Sequence, residues 1–182
     1  MKTLALSQSG WLHRFGWLGL GVLFLFSTQV QAGMFGWFKR YDVHLCPEVQ
    51  GVLTHKGEPL AGITVYRELD YDKSYMESVV TDAHGRFYFS ERNIRSRLPG
   101  NMLDQSTVRQ VLSIEYQQKN YVLWYSSTPS LKPHSSFRRA LAGLQCEVTD
   151  PEQRYVLENE EYPQHPLGVV GICKLDAPVA EY

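Results

Sequence analysis

The short motifs that mark common enzymes and metal sites are missing from this sequence of 182 residues. It has no Gly-x-Ser-x-Gly segment, the elbow that presents a hydrolase nucleophile. It has no His-x-His or His-Glu-x-x-His spacing for zinc. Its three cysteines include no Cys-x-x-Cys pair, which argues against a thiolate metal site. We therefore expect no catalytic, cofactor-binding or metal-binding residues, and we predict that the protein is not an enzyme.

Neither an excess of one charge nor a long apolar run is present. The chain has 18 basic and 19 acidic residues, with a formal net charge of −1. Nucleic-acid-binding proteins usually carry a basic excess, so we expect no nucleic-acid partner. The apolar run at positions 15–26 is well short of the roughly 20 residues that a membrane-spanning helix needs. We expect no integral membrane segment after the N-terminal region is removed.

The N-terminal residues have the three-part pattern of a secretory signal peptide. Lys2 and Arg14 supply positive charge, no acid precedes Asp42, and Val30 and Ala32 are small residues at the positions that a signal peptidase reads. The alternative is an uncleaved anchor, which the short apolar run disfavours. The predicted divisions are a signal peptide (1–32), a lead-in (33–46), a β-sandwich domain (47–176) and a C-terminal tail (177–182). We expect export to the periplasm, or beyond the cell, of a Gram-negative bacterium.

Short apolar segments that alternate with polar residues follow one another after the lead-in, which is typical of β-strands. The predicted strands lie at 41–46, 49–54, 63–67, 75–81, 86–89, 112–116, 121–125, 144–148 and 169–175. We expect Val65, Phe87 and Phe89 to lie in the core. The pattern indicates an all-β sandwich of about seven or more strands with long loops, at 91–107 and 126–143 among others, and a helical turn near 137–142.

One disulfide is expected, because an exported chain meets an oxidising environment. Cys146 and Cys173 both lie in strand-like runs of the C-terminal part, and we predict that pair. Cys46 bonded to either of them is the competing connectivity, which spacing alone does not exclude. Closing a loop of this size would stabilise the fold by roughly 3 kcal/mol.

Several polar residues could carry chemistry, and each has a simpler reading. Asp70, Asp72 and Asp82 could meet around Ca²⁺, but calcium needs about six or more oxygen ligands, so we expect solvated loop acids. Cys46 could be a nucleophile, although beside Pro47 at a strand start it is expected to be structural or disulfide-bonded. The scattered histidines, which we expect to hold no metal, are His44, His55, His84, His134 and His165.

A basic stretch follows the Phe87–Phe89 segment. Arg92, Arg95 and Arg97 fall within six positions, and together they could bind a phosphate or an acidic partner. We favour the alternative that residues 91–100 form a solvated loop or a short helix.

One long pattern resembles a known family. It reads Gly51-Val-Leu, then Gly57-Glu-Pro-Leu-Ala-Gly-Ile-Thr-Val65, then Thr81-Asp-Ala-His-Gly-Arg-Phe87-Tyr-Phe89. It resembles the carboxypeptidase-regulatory-like, or transthyretin-like (prealbumin-like), superfamily, and most of all an uncharacterised bacterial exported branch. The Cys46-to-Gly51 start and the C-terminal cysteines are similar too. The resemblance implies a Greek-key β-sandwich that serves as a binding, spacer or scaffold module.

The same resemblance bears on activity. Relatives that hydrolyse a cyclic purine-breakdown product end in Tyr-Arg-Gly-Ser, whereas this chain ends Pro178-Val-Ala-Glu-Tyr182. Another branch forms a Lys–Asn cross-link, but Lys56, Lys73 and Lys119 all fall in polar turn contexts. We expect a non-enzymatic protein-interaction or envelope-accessory module. The alternatives are a periplasmic inhibitor or immunity-type protein and, disfavoured by the missing tetrapeptide, a transthyretin-like hydrolase.

Overall fold

The computed structural model describes residues 39–101, 103 and 107–178. The chain divides into two units, Met1–Lys39 and Arg40–Tyr182, and the structure below is that of the second. The predicted signal peptide, the lead-in as far as residue 38 and residues 179–182 of the tail lie outside the described residues.

The described part of the chain is mostly β-structure, as the alternating sequence predicts. The strands are β1 (Tyr41–Cys46), β2 (Val49–His55), β3 (Glu58–Pro59), β4 (Thr64–Asp70), β5 (Ser74–Val80), β6 (Arg86–Phe89), β7 (Arg92–Ser96), β8 (Val108–Tyr116), β9 (Lys119–Thr128), β10 (Leu144–Glu147), β11 (Gln153–Leu157), β12 (Leu167–Gly171) and β13 (Cys173–Lys174). A 3₁₀ turn spans Leu98–Gly100, and one α-helix, α1, spans Ser135–Leu141.

These strands form three sheets. The largest has six strands in the order β11-β12-β9-β8-β4-β5, and every neighbouring pair in it is antiparallel. A five-stranded sheet has the order β13-β10-β2-β3, with β6 also paired to β2; its β10-β2 pair is parallel. β1 and β7 form a small third sheet. The two large sheets pack against each other, which confirms the all-β sandwich; the transthyretin-like connectivity stays a prediction.

The core forms where the inward faces of these strands meet. Val65, Phe87 and Phe89 are all buried in it, as predicted, and Trp124 is its largest fully buried side chain. The ring of Phe137 from α1 packs edge-on against Trp124, with centroids 5.4 Å apart. Burying a side chain of this size contributes about 1.5–3 kcal/mol, so the helix is held to the sandwich chiefly by Phe137 and its neighbours.

The turn between β2 and β3 is fastened by a distant carboxylate. Lys56 and Gly57 adopt positive φ angles of 53° and 81°, the geometry of a tight hairpin turn. Glu147, at the end of β10, accepts hydrogen bonds from both of their backbone N–H groups, at 2.8 and 3.0 Å. Partial burial acts to raise the pKa of Glu147, but these donors and those of Thr149 outweigh it and hold that pKa well below its usual range.

The segment at 169–175, predicted as one strand, is two. β12 lies in the six-stranded sheet and β13 in the five-stranded sheet, so the chain crosses between layers at Ile172. Immediately after the crossing, Cys173 lies opposite Cys146 in register, and the two form a disulfide with their Cα atoms 4.0 Å apart. The predicted pairing is confirmed, and Cys46 is free and buried.

One loop prediction was wrong. Residues 92–96 form strand β7 instead of a solvated loop or helix, because they find a backbone partner in β1. The polar stretch at 149–166, for which no strand was predicted, contains β11, which lies at one edge of the six-stranded sheet. The predicted helical turn near 137–142 is confirmed as α1, and β9 extends to Thr128, three residues into the loop predicted from 126.

Candidate functional site

The position of Cys46 in the structure does not suit a nucleophile. Its side chain is buried at the end of β1, and desolvation raises the pKa of its thiol to about 12, against the opposing influence of nearby Arg67. A thiol with this pKa stays protonated near neutral pH, and only the thiolate is strongly nucleophilic. Cys46 is therefore a core residue.

Arg67 is the one arginine among the fully buried side chains of the described residues. Its Nε donates to Glu77 Oε2 at 2.9 Å, its Nη1 donates to the Ser90 carbonyl at 2.8 Å, and its guanidinium lies 4.7 Å from the centroid of Phe89. A buried charge is tolerated only when it is paired and hydrogen-bonded. These contacts satisfy the guanidinium, so the cluster holds β4, β5 and the end of β6 together.

The three candidate calcium ligands each serve local contacts. Asp70 accepts a hydrogen bond from Arg109 Nε at 2.7 Å, and Asp72 accepts one from the Tyr75 hydroxyl at 2.8 Å. Asp82 accepts the backbone N–H groups of His84 and Arg86, both at 2.8 Å, within the turn between β5 and β6. The Arg86 N–H, ahead of that of His84, lowers the pKa of Asp82. The structure does not bring these acids into one site.

The histidines are also dispersed over different elements. His44 lies on β1 against Asn93 and Glu91, and burial lowers its pKa. His55 ends β2 with its ring edge-on to Tyr116. Across residues 39–101, 103 and 107–178, no cluster of three or more His, Cys, Asp or Glu side chains is arranged to hold a metal ion.

The arginines of the basic stretch do not form a shared anion-binding site. Arg92 lies 3.5 Å from Glu77 and its guanidinium faces the ring of Tyr75, at 5.4 Å from the ring centroid. Arg95 lies 3.4 Å from Asp42. Because β7 is a strand, consecutive side chains of this stretch alternate between its two faces. The arginines are thus separated and engaged with acids or other groups.

A cleft that the sequence did not reveal lies between the end of β9 and the loop before β12. It has a volume of about 460 Å³ and is lined by residues from 127–134 and 159–168. The buried His134 lies at its wall, with Nε2 at 3.4 Å from Thr128 Oγ1 and Nδ1 at 3.3 Å from Glu161 Oε2. A hydroxyl, an imidazole and a carboxylate in that order resemble a nucleophile, base and orienting acid.

The contacts of Glu161 explain this arrangement as structural. Its Oε1 accepts the backbone N–H of Ser135 at 2.9 Å, at the first turn of α1. That hydrogen bond is the main cause that lowers the pKa of Glu161 to about 2. A carboxylate here satisfies an N–H group that the helix cannot bond internally. Glu161 and His134 therefore fasten the loop at 158–166 to the start of α1.

The most extensive unexplained feature is the outer face of the six-stranded sheet, the face turned away from the core. Directly opposed residues share one side of a sheet, and the register places Met76, Glu68, Val111, Tyr125 and Val170 in a single row across β5, β4, β8, β9 and β12. We call four of these residues with Tyr66 the outer patch: Tyr66, Met76, Val111, Tyr125 and Val170.

Three residues of the outer patch are exposed, and Val111 and Val170 are half-buried. Met76 is 65% exposed, and Tyr66 and Tyr125 are 40% and 39% exposed. The neighbouring charge is neutralised within the chain, because Arg109 forms ion pairs with both Glu68 and Asp70. Tyrosine, methionine and arginine are the residues enriched at protein interfaces. Exposed tyrosine and methionine side chains grouped on one face of a sheet mark an interaction site more often than a catalytic one.

Comparison with protein families gives a match. The model of a family described as a domain of unknown function (DUF6795) matches residues 49–151, which run from the start of β2 to just beyond β10. The chain belongs to this family. Among curated proteins none matches the chain, and among solved structures none does either.

The matched DUF6795 region contains Tyr66, Met76, Val111 and Tyr125 of the outer patch, whereas Val170 lies beyond it. It contains Cys146 but not its disulfide partner Cys173. None of the helices that the structure describes has the length and apolarity to cross a bilayer.

Proposed function

We propose that this DUF6795 protein is an exported, non-enzymatic β-sandwich that binds a protein partner through the outer patch. The observation that carries the proposal is the in-register row on the sheet's outer face in which exposed Met76 and Tyr125 lie with the half-buried Val111 and Val170. Tyr66 flanks this row, and Glu68, which lies within it, is paired with Arg109. When a partner removes such side chains from water, the complex is stabilised by about 25 cal/mol per Å² of apolar surface buried.

The chemistry of the patch defines the partner. Arg109 is paired with Glu68 and Asp70, so the patch offers no unpaired charge from that residue for an acidic ligand. It offers two tyrosine rings with hydroxyls and a flexible methionine on a rigid sheet. A flat, largely uncharged protein surface fits that set better than a phosphate, a sugar or a nucleic acid.

Export and fold family belong to the same proposal. The Cys146–Cys173 disulfide is compatible with an oxidising compartment, and the N-terminal pattern of charge, apolar run and small residues favours cleavage after Ala32. The turn glycines and core aromatics between Gly51 and Phe89 support a transthyretin-like or carboxypeptidase-regulatory-like ancestry. The mass of the protein recovered from the periplasm, with and without reductant, tests cleavage and disulfide together.

Non-enzymatic action is supported by the use of the reactive groups in structural contacts. The thiol of Cys46 is buried and protonated, and the His134–Glu161 pair anchors α1. Hydrolysis of 5-hydroxyisourate, followed by absorbance, is the direct assay for the rival hydrolase. If the DUF6795 protein accelerates this hydrolysis, the non-enzymatic proposal is wrong.

The binding test places a photo-cross-linking residue at Tyr125 in the full chain, in cells that produce it. The matched control position is Tyr88, which is 51% exposed on the five-stranded sheet. We expect a discrete product with another protein from position 125 and none from 88, and its loss when Tyr66→Asp is added. Equal labelling from both positions, or no product from 125, would refute the proposed surface.

A further inference from the structure

The outer edge of β5 has backbone groups that find no partner strand among the described residues. On its inner side β5 pairs with β4 over its whole length, and no other strand among the described residues pairs with it. Just after β5, the N–H of Thr81 donates to Ile63 and its carbonyl accepts from Gly62, so Thr81 faces the β4 side. Because these groups alternate along an antiparallel strand, the N–H and C=O of Ser74, Met76, Ser78 and Val80 face outward.

The two edges of the six-stranded sheet differ in protection. At the other edge, β11 follows Pro151 and carries Arg154, and the Val156 N–H donates to the Pro178 carbonyl at 3.1 Å. β5 has no proline and no lysine. Its single charged residue, Glu77, is held by Arg67 and Arg92. Soluble proteins normally shield an edge strand with charge, proline or a covering segment, since a bare edge pairs with another strand.

We propose that two copies of this chain associate by antiparallel pairing of β5 with β5, about a two-fold axis at Ser78. Outward-facing residues must pair with outward-facing residues. Three self-pairing registers, centred on residues 76, 77 or 78, then pair at least three of the four outward-facing residues of β5. Centring on Glu77 places two carboxylates directly opposite each other, which is destabilising. Centring on Met76 leaves the exposed Val80 without an apolar partner.

The register centred on Ser78 avoids the opposed carboxylates and gives Val80 an apolar partner. Met76 of each copy lies opposite Val80 of the other, so the two most exposed apolar residues of β5 cover each other. Glu77 lies opposite Val79 instead of a second Glu77. The small Ser78 lies at the axis, where its counterpart is closest. The pairing also joins two six-stranded sheets edge to edge and places their two outer patches on one continuous surface. The inference does not rest on the proposed function of the patch.

Cysteine cross-linking tests the register. In a hydrogen-bonded antiparallel pair, opposed Cα atoms are about 5.5 Å apart, within the range that a disulfide spans. We expect Ser78→Cys in the full chain to form a covalent dimer under mild oxidation. Ser74→Cys is the matched control on the same strand and face, and its counterpart would be far away. The native cysteines do not compete, because Cys46 is buried and the other two are bonded.

Association is tested by sedimentation and light scattering across a range of concentrations. Met76→Lys puts a charge on the paired edge and should raise the dimer dissociation constant at least tenfold. Val156→Lys, on the other edge strand, should leave it unchanged. Unchanged thermal unfolding of both variants controls for folding. A wild-type protein that is monomeric at its highest soluble concentration, a dimer indifferent to Met76→Lys, or equal cross-linking from 74 and 78 would each overturn the proposal.

Discussion

Replacing Glu147 by Gln tests whether one carboxylate fastens the β2–β3 turn. The side chain accepts hydrogen bonds from the N–H groups of Lys56 and Gly57, from the N–H and hydroxyl of Thr149, and from the hydroxyl of Thr54, at distances between 2.7 and 3.1 Å. A hydrogen bond to a charged group contributes about 1.5–3 kcal/mol, and partial exposure and the retained amide oxygen both reduce the loss. We expect the free energy of unfolding to fall by about 2 kcal/mol.

The assay is urea denaturation at pH 7, with thermal unfolding as a second probe. For a domain of this size, 2 kcal/mol corresponds to a fall in Tm of about 6–8 °C. The urea m-value should not change, because the same surface is exposed on unfolding. Glu115→Gln, an exposed glutamate on β8, is the control and should leave stability within about 0.5 kcal/mol of wild type.

The stability difference between wild type and Glu147→Gln should depend on pH in a defined direction. The folded-state pKa of Glu147 lies below the ordinary value of 4.5, so its contribution is complete above that value and is lost as the pH falls. The stability gap between wild type and Glu147→Gln should therefore be full at pH 7 and begin to close below about pH 4.5. A gap that is absent at pH 7, or that stays constant down to pH 3, would refute the account of the turn.

Three further predictions concern the cysteines and the crossing between layers. The double variant Cys146→Ser/Cys173→Ser opens a loop with a sequence separation of 27 and should lower the free energy of unfolding by about 3–4 kcal/mol, measured by urea denaturation. Cys46, with its pKa raised to about 12, should not react with Ellman's reagent in the native protein and should react with one equivalent in denaturant; fast native reaction would contradict its burial. Gly171→Ala should cost about 3 kcal/mol, because its Cβ would overlap the backbone carbonyl of Leu123 on β9, and near-wild-type stability would show that β9 and β12 can move apart there.

Much of the sandwich follows from the sequence because each strand buries one face. Phe87 and Phe89 are buried while Arg86 and Tyr88 are exposed, so the two-residue period of β6 is visible in the letters. The Asp82–Gly85 turn before it is legible for the same local reason: Gly85 takes a φ of +70° and the Asp82 carboxylate accepts nearby N–H groups.

The errors fall where local pattern does not decide the structure. In β7, Arg92 and Arg95 hide the alternation, and the strand exists because β1 supplies its backbone partners. In the segment predicted as one strand at 169–175, nothing in the composition marks the change of sheet at Ile172. That change depends on which neighbours, β9 on one side and β10 on the other, accept the backbone.

The candidate site could not be predicted from the sequence for a similar reason. Tyr66, Val111 and Tyr125 are ordinary strand residues in the one-dimensional pattern, each with one apolar and one polar neighbour. They form a surface only because the register sets them side by side across different strands. The contact between His134 and Glu161 likewise joins two loops whose proximity depends on the whole fold.

The passage of the C-terminal segment from one layer to the other has a consequence for the order of assembly. β12 completes contacts in the six-stranded sheet, and β13, fewer than ten residues later, brings the second half of the disulfide to the five-stranded sheet. Neither large sheet has all of its strands until residues 167–174 have joined it. One short segment of chain therefore couples the completion of the six-stranded sheet to the closure of the disulfide on the five-stranded sheet.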